Sequence, residues 1–349
     1  MNQTFVVAGL GLIMALVFAL PFSVRWVEEE LEAFLLFMGI AAVTMSGVWS
    51  PGLVKEALHE PLRISAAVLV FGILFRTFRL TVRASVLALS ARLGLPVFLF
   101  TLVTFLGLAS SAITAFIAAL VLVEVISVLQ LDEATERKTV IVACYAIGLG
   151  AVLTPIGEPL STIATSRLSG PPHDADFFFL ARLLWPWVGA GILALALLAS
   201  LLALGAREGV RGLTQDEAES GPTIAIRGVK AYVFVAALVL LGRGLSPLVE
   251  RWITGLPVWA LYWANTMSAA LDNATLAAAE ISPGMDAARI RAVLIALMVS
   301  GGMLIPGNIP NIIAAGKLGI KSRDWARFAV PLGLVLLTGY FLALRLLGG

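Results

Sequence analysis

Gly150–Ala164 reads GAVLTPIGEPLSTIA, and Gly301–Ala315 reads GGMLIPGNIPNIIAA. Aligned without gaps, the two stretches share Gly150/Gly301, Leu153/Leu304, Pro155/Pro306, Pro159/Pro310 and Ala164/Ala315, so their P-x-x-x-P cores coincide. Each core interrupts an apolar run. Thr154–Pro159 (TPIGEP) breaks Lys138–Arg167, and Ile305–Pro310 (IPGNIP) breaks Ile290–Ala315. About 40 residues upstream of each lies a second interruption carrying a Ser-Ala pair. Ala109–Thr114 (ASSAIT) divides Leu95–Leu129, and Ser268–Thr275 (SAALDNAT) divides Leu256–Ile281. A split segment followed by a broken one, occurring twice, is a two-fold internal repeat.

The surroundings of these stretches are those of a membrane protein. Of 349 residues, 60% are hydrophobic and 13% charged, with a mean hydropathy of +0.98; a soluble domain is nearer half apolar and a quarter charged. Apolar runs of about 20 residues, enough to cross a hydrocarbon core of roughly 30 Å, recur along the chain. Besides the split segments they are Phe5–Phe22, Glu32–Trp49, Ile64–Phe78, Phe178–Leu204, Ile226–Leu241 and Phe328–Leu347, and a basic loop with Arg76, Arg79, Arg83 and Arg92 is expected after the third. The fold class is therefore an all-α polytopic membrane protein with an inverted repeat, two re-entrant hairpins and two broken transmembrane helices. Its expected parts are an N-terminal transmembrane helix (1–30), repeat 1 (31–205; hairpin 95–129, broken helix 138–167), a cytoplasmic linker (206–225) and repeat 2 (226–349; hairpin 256–283, broken helix 290–316). No basic segment precedes the first apolar run and no A-x-A site follows it, so that run reads as a retained helix. The net charge of +2 implies no nucleic-acid partner. Cys144, the single cysteine, lies in an apolar run and reads as a core thiol.

If each Ser-Ala segment returns to the side it left, three crossings separate the two hairpins, and an odd number turns the second repeat upside down. Fifteen of the 24 lysines and arginines then fall on one side. By the positive-inside rule that side is cytoplasmic and both termini face out. Trp49, Trp185, Trp187, Trp252 and Trp325 fall near span ends, as an aromatic belt would.

Proline and glycine inside an apolar span free backbone groups that cost several kcal/mol each in hydrocarbon unless something satisfies them. Matched breaks in two halves of a transporter point to its binding site. The hairpin tips bring Ser110, Ser111 and Thr114 in the first repeat, and Ser268, Asp272, Asn273 and Thr275 in the second, to the same depth. Asp272 at a tip and Glu158 in a break are deep acids, which a bilayer tolerates only for a purpose. Glu280 lies about 12 Å further along its arm than Asp272, and Glu124 about 15 Å beyond Thr114, near the cytoplasmic surface. No Lys, Arg or His lies near any break, and His59 and His173 fall in loops. Deep acids without a deep base favour a cation, and a buried acid can exchange a metal ion for a proton. Sodium/proton antiport follows, with the ion and the proton competing for Asp272, Glu158 or both; sodium and protons are the transported species and no cofactor is needed.

SAALDNAT and GGMLIPGNIPNIIAAG resemble the second-repeat motifs of the ion transporter superfamily, which includes NhaD-type sodium/proton antiporters, arsenite permeases and dicarboxylate carriers. From about Glu32 onward the chain is similar to a compact bacterial and archaeal family described only as candidate cation transporters. The resemblance implies a multi-pass protein of the cytoplasmic membrane, working as a homodimer by an elevator motion. Carried over, it implies one cation site from Ser110, Ser111 and Thr114 with Thr154, Gly157 and Glu158, and a second from Ser268, Asp272 and Asn273 with Pro306, Gly307 and Asn308. Asp272-Asn273 matches the Asp-Asn pair of the NhaD-type proteins. The first tip reads Ser-Ala-Ile-Thr, without the Asn that dicarboxylate carriers place there. The alternative reading is a sodium-coupled symporter of a small carboxylate or other anion, held by half-helix N-termini and the amides of Asn273, Asn308 and Asn311. A lone Cys144 offers no thiol cluster for arsenite. No H-E-x-x-H, G-x-S-x-G or phosphate-binding loop appears, so neither an enzyme nor a primary pump is expected.

If the breaks form the site, Pro306→Ala or Pro310→Ala re-forms helix and lowers apparent cation affinity in a cation-dependent melting assay. Unchanged affinity would make the break a packing kink.

Overall fold

The computed structural model describes residues 3–206, 213, 221–253, 256–269 and 273–347. Fifteen α-helices follow in order among them. The first four are α1 (Gln3–Ser23), α2 (Arg25–Glu29), α3 (Leu31–Ser46) and α4 (Pro51–Leu93). Next come α5 (Leu95–Ile113), α6 (Ala115–Leu129), α7 (Glu133–Ala151), α8 (Pro159–Arg167) and α9 (Phe179–Ala203). Then α10 (Gly221–Ile253) and α11 (Val258–Ala264) lead through a 3-10 turn at Asn265–Ala269 to α12 (Asn273–Glu280). Finally α13 (Ala287–Gly301) is followed by a 3-10 turn at Ile305–Gly307, α14 (Ile309–Leu318) and α15 (Ser322–Leu347). No β-strand occurs among the described residues. Six helices, α1, α4, α5, α9, α10 and α15, are long and apolar enough to cross a bilayer. The chain is an all-α, multi-pass membrane protein, and its outer helices present large apolar side chains outward, among them Val70, Ile73 and Leu80.

Two helices run past their expected ends. The segment read as a basic loop is helix: Arg76, Arg79, Arg83 and Arg92 all lie in α4, which continues to Leu93. Arg, Leu and Ala are good helix formers, and the chain turns only at Gly94, whose φ of +76° suits glycine. Ser50 starts the helix by accepting from Leu53 N–H at 3.1 Å. At 43 residues α4 is about 65 Å long, twice the hydrocarbon thickness. Likewise α10 extends beyond Ile226–Leu241 at both ends. Trp325 departs from the belt expected of it. It is fully buried, and its indole N–H donates to Gly302 O at 3.2 Å, because that carbonyl lies where α13 stops and needs a donor. Trp49 and Trp185 remain exposed.

Packing divides the helices by neighbour. α10 lies along α3 and α4, with α1 beside them. Small residues bring α3 and α10 together at Gly39 and at Gly244, where a Cβ would fall 2.6 Å from Ala42 Cβ; such residues let helix backbones approach in a membrane. Separately, α5 packs with α7 and α9, while α13 packs with α7, α11, α12 and α15. The core between them is mainly aliphatic, with Tyr145, Tyr262 and Trp325 among the aliphatic side chains and Cys144 buried in it as expected.

The apolar runs divide where the sequence places its polar breaks. Thr114, at φ +75°, separates α5 from α6 and accepts from Ile117 N–H at 3.3 Å. α7 ends at Ala151 and helix resumes at Pro159, while α13 ends at Gly301 and resumes at Ile309. The backbones of α5 and α7 touch at the first of these ends: a Cβ on Gly150 would lie 1.6 Å from Gly107 O. Ser110 Oγ bridges the same crossing, donating to Gly107 O at 2.7 Å and Ile147 O at 2.9 Å.

Gly150→Ala is expected to lower stability by about 1–3 kcal/mol, the range for overpacking a close contact, whereas Gly339→Ala, with nothing within 4 Å of the new Cβ, leaves it unchanged or raised. Thermal unfolding followed by a maleimide dye on the buried Cys144 reads both. Equal melting curves would contradict the crossing.

Candidate functional site

Each break leaves carbonyls and amides that no helix turn uses, and each is closed by a different neighbour. At the first, Gly157 N–H donates to Thr154 O at 3.1 Å, and Gly157 O accepts from Ala115 N–H at 2.9 Å. Thr154 Oγ1 donates to Ser111 O, a short bond from the break to the tip between α5 and α6. Thr162 Oγ1 donates to Pro155 O at 2.6 Å. Glu158 then begins α8 from an extended conformation, its carboxylate accepting the Ser161 backbone N–H.

At the second break, Asn311 does the equivalent work with its side chain. Its Nδ2 donates to Gly301 O at 2.8 Å and to Leu304 O at 2.9 Å. Ser268 Oγ donates to Leu297 O at 3.1 Å, holding the 3-10 turn against α13. Asn308 occupies the N-cap of α14, extended like Glu158 at the N-cap of α8. The matched Gly301 has its own reason: a Cβ there would lie 2.4 Å from Asn273 Nδ2.

The second arms of the two split segments cross over. α6 packs on α14, and α12 packs on α8. This exchange brings one break to the other. A small cavity is lined by Glu158, by Asn273 on α12, and by Pro306, Gly307 and Asn308 of the second break, with Leu238 of α10 as an apolar wall. It offers about 20 Å³ to the centre of a water-sized occupant, against the 10–15 Å³ that one such occupant needs. One ion or water fits. Glu158, Asn273 and Asn308 are all buried. Neither polar atom of the Asn273 amide has a protein partner, which is costly for a buried group unless a ligand or water completes it. The lining residues include one carboxylate and two amides, with no basic side chain. Their side-chain oxygens suit a hard cation.

The sequence-derived residues are thus regrouped. Glu158 lies with Asn273, Gly307 and Asn308, whereas Ser110, Ser111, Thr114, Thr154 and Gly157 tie the first tip to the first break. Ser111 Oγ donates to Leu108 O at 2.8 Å. Thr275 faces α10, where a Cβ on Gly242 would lie 2.2 Å from its hydroxyl. Asp272 falls outside the described residues. Glu124 is ion-paired with Lys317 at the end of α14, and His173 Nε2 contacts Met285 O at 2.8 Å. Sequence reading missed Leu238, which no pattern marks, and Asn265, which lies just before the motif and bonds Glu280 at 2.9 Å.

A family model described as protein of unknown function (DUF1646) matches residues 7–347, and the chain belongs to that family. No curated protein matches it.

Proposed function

We propose that this member of a family of unknown function is a secondary active transporter, a sodium/proton antiporter of a bacterial or archaeal cytoplasmic membrane. In this reading α5–α6 and α11–α12 are re-entrant hairpins, and α7–α8 and α13–α14 are broken transmembrane helices of two inverted repeats. The exchange of second arms, α6 onto α14 and α12 onto α8, is what two antiparallel copies of one unit would produce. The half-helix starts at Glu158 and Asn308 are corresponding parts of the two copies.

The observation that carries the proposal is the cavity. It gathers one acid and two amides from both repeats at the point where two helices stop, has room for one small occupant, and meets no basic side chain. Its size supports a cation over the carboxylate of the alternative symporter. Sodium would take Glu158, Asn273, Asn308 and the carbonyls of the second break as ligands, with Asp272 of the same tip as the second acid. Alternating access would follow an elevator motion, in which the helices bearing the breaks slide against α1, α3, α4 and α10. A homodimer is part of the same reading.

The purified protein in liposomes with an internal pH dye tests this. Sodium, and lithium as its nearest congener, is expected to drive proton movement, and Glu158→Gln or Asp272→Asn to abolish it without loss of folded protein. Uptake of sodium that requires a carboxylate and moves no proton would establish the symporter instead. Normal exchange in both variants would remove these acids from the mechanism.

A further inference from the structure

At the far end of α12 from the cavity lies a second buried polar pair. Glu280 is the last residue of α12 and is 5% exposed, while Asn265 begins the 3-10 turn and is 1% exposed. Asn265 Nδ2 donates to Glu280 Oε2 at 2.9 Å. The remaining two atoms of the pair, Glu280 Oε1 and Asn265 Oδ1, are both buried acceptors without a partner. Two orphaned acceptors beside one satisfied bond are an expensive arrangement for an ionised carboxylate, since each buried acceptor without a donor has lost its hydration uncompensated.

A proton on Oε1 removes both deficits. A carboxylic acid and a primary carboxamide have complementary edges. With Nδ2–H already on Oε2, an Oε1–H donating to Oδ1 closes the ring of two hydrogen bonds. The helix adds to this preference, because the carboxyl sits at the C-terminal end of α12, where a negative charge opposes the helix dipole.

The charged groups around the pair do not supply the missing donor. α12 packs against α8, α10, α13 and the 3-10 turn. From α13, Arg289 is the charged neighbour; its Nη2 donates to Leu256 O at 3.1 Å, and its Nε, also buried without a partner, bonds neither orphaned acceptor. Arg291 lies over the Trp187 ring. On α10, Arg243 is paired with Glu56 at 3.1 Å. On α8, Arg167 is exposed at the helix end, and Glu158 belongs to the cavity. The turn itself carries no charge.

We propose that Glu280 and Asn265 form the proton-binding site of the transporter, in which Glu280 carries the exchanged proton as a carboxylic acid closed on Asn265. The step is a simple transfer: a hydronium ion gives its proton to the Oε1 lone pair, its O–H bond breaks to leave water as the Oε1–H bond forms, and on release the proton passes back to water. Asn273 and Glu280 are the first and last residues of α12, so the cation cavity and the proton site sit at opposite ends of one short helix and move as one body. The role in exchange rests on the antiport reading; the protonated pair itself does not.

Infrared difference spectroscopy of the membrane-reconstituted protein across a pH step tests it. A carboxylic C=O band that disappears as pH rises is expected. Glu280→Gln should erase that band, and Asn265→Leu should keep it but move it to higher frequency, because the hydrogen bond to the C=O is gone. Glu280→Gln should also lose sodium-driven proton movement while keeping sodium-dependent thermal stabilisation. The Cys144 dye assay verifies that each variant is folded. An unchanged band in Glu280→Gln, or no titrating band in the parent protein, overturns the proposal. Exchange that persists in Glu280→Gln with an unaltered pH profile overturns the transport role. Failure of the parent protein to exchange, with the band still assigned to Glu280, defeats the antiport reading and leaves the protonated pair standing.

Discussion

Backbone groups freed inside an apolar layer must find partners, and the architecture around the two breaks is organised by that requirement. Where α7 stops, the partners are the first tip's Ala115 N–H and Ser111 O, reached through Gly157 and Thr154. Where α13 stops, they are the Asn311 amide and the Trp325 indole. Each unsatisfied group would cost several kcal/mol in hydrocarbon. A chain that breaks two helices here therefore needs other segments pressed against the ends. The close crossings at Gly150 and Gly301 are the geometric form of that need.

The same constraint leaves a site behind. Once the tips have covered most of the freed groups, what stays uncovered is a small space edged by the half-helix starts at Glu158 and Asn308 and by the Asn273 amide. The binding capacity proposed for it would be the residue of incomplete satisfaction rather than a separate feature added to a finished fold. The Glu280–Asn265 pair follows a similar logic at the other end of α12: four polar atoms, one hydrogen bond and a deficit that a single proton corrects.

Much of this was legible in the sequence. The paired P-x-x-x-P cores predicted both helix interruptions, and the Ser-Ala breaks predicted where the apolar runs divide, since proline, glycine and small polar residues act locally on the backbone. The exchange of second arms, α6 onto α14 and α12 onto α8, was not legible. The resemblance grouped Glu158 with the first tip, but α12 crosses to α8 and carries Asn273 to it, a tertiary fact that no local pattern encodes. Helix length was misjudged at α4, where arginines read as a loop continue a helix because nothing before Gly94 stops it. Trp325 read as an interfacial anchor from its position near a span end, yet an unpaired Gly302 carbonyl drew it inside. Asn265 was passed over because a lone amide in an apolar run carries no signal until its partner is known.

The most direct test is anomalous diffraction from crystals soaked in thallium(I), a monovalent cation visible where sodium is not. A peak bordered by Glu158, Asn273 and Asn308, lost on competition with sodium, is the result expected. Continuous helix through Thr154–Pro159 and Ile305–Pro310, or a peak only at the protein surface, would contradict the account.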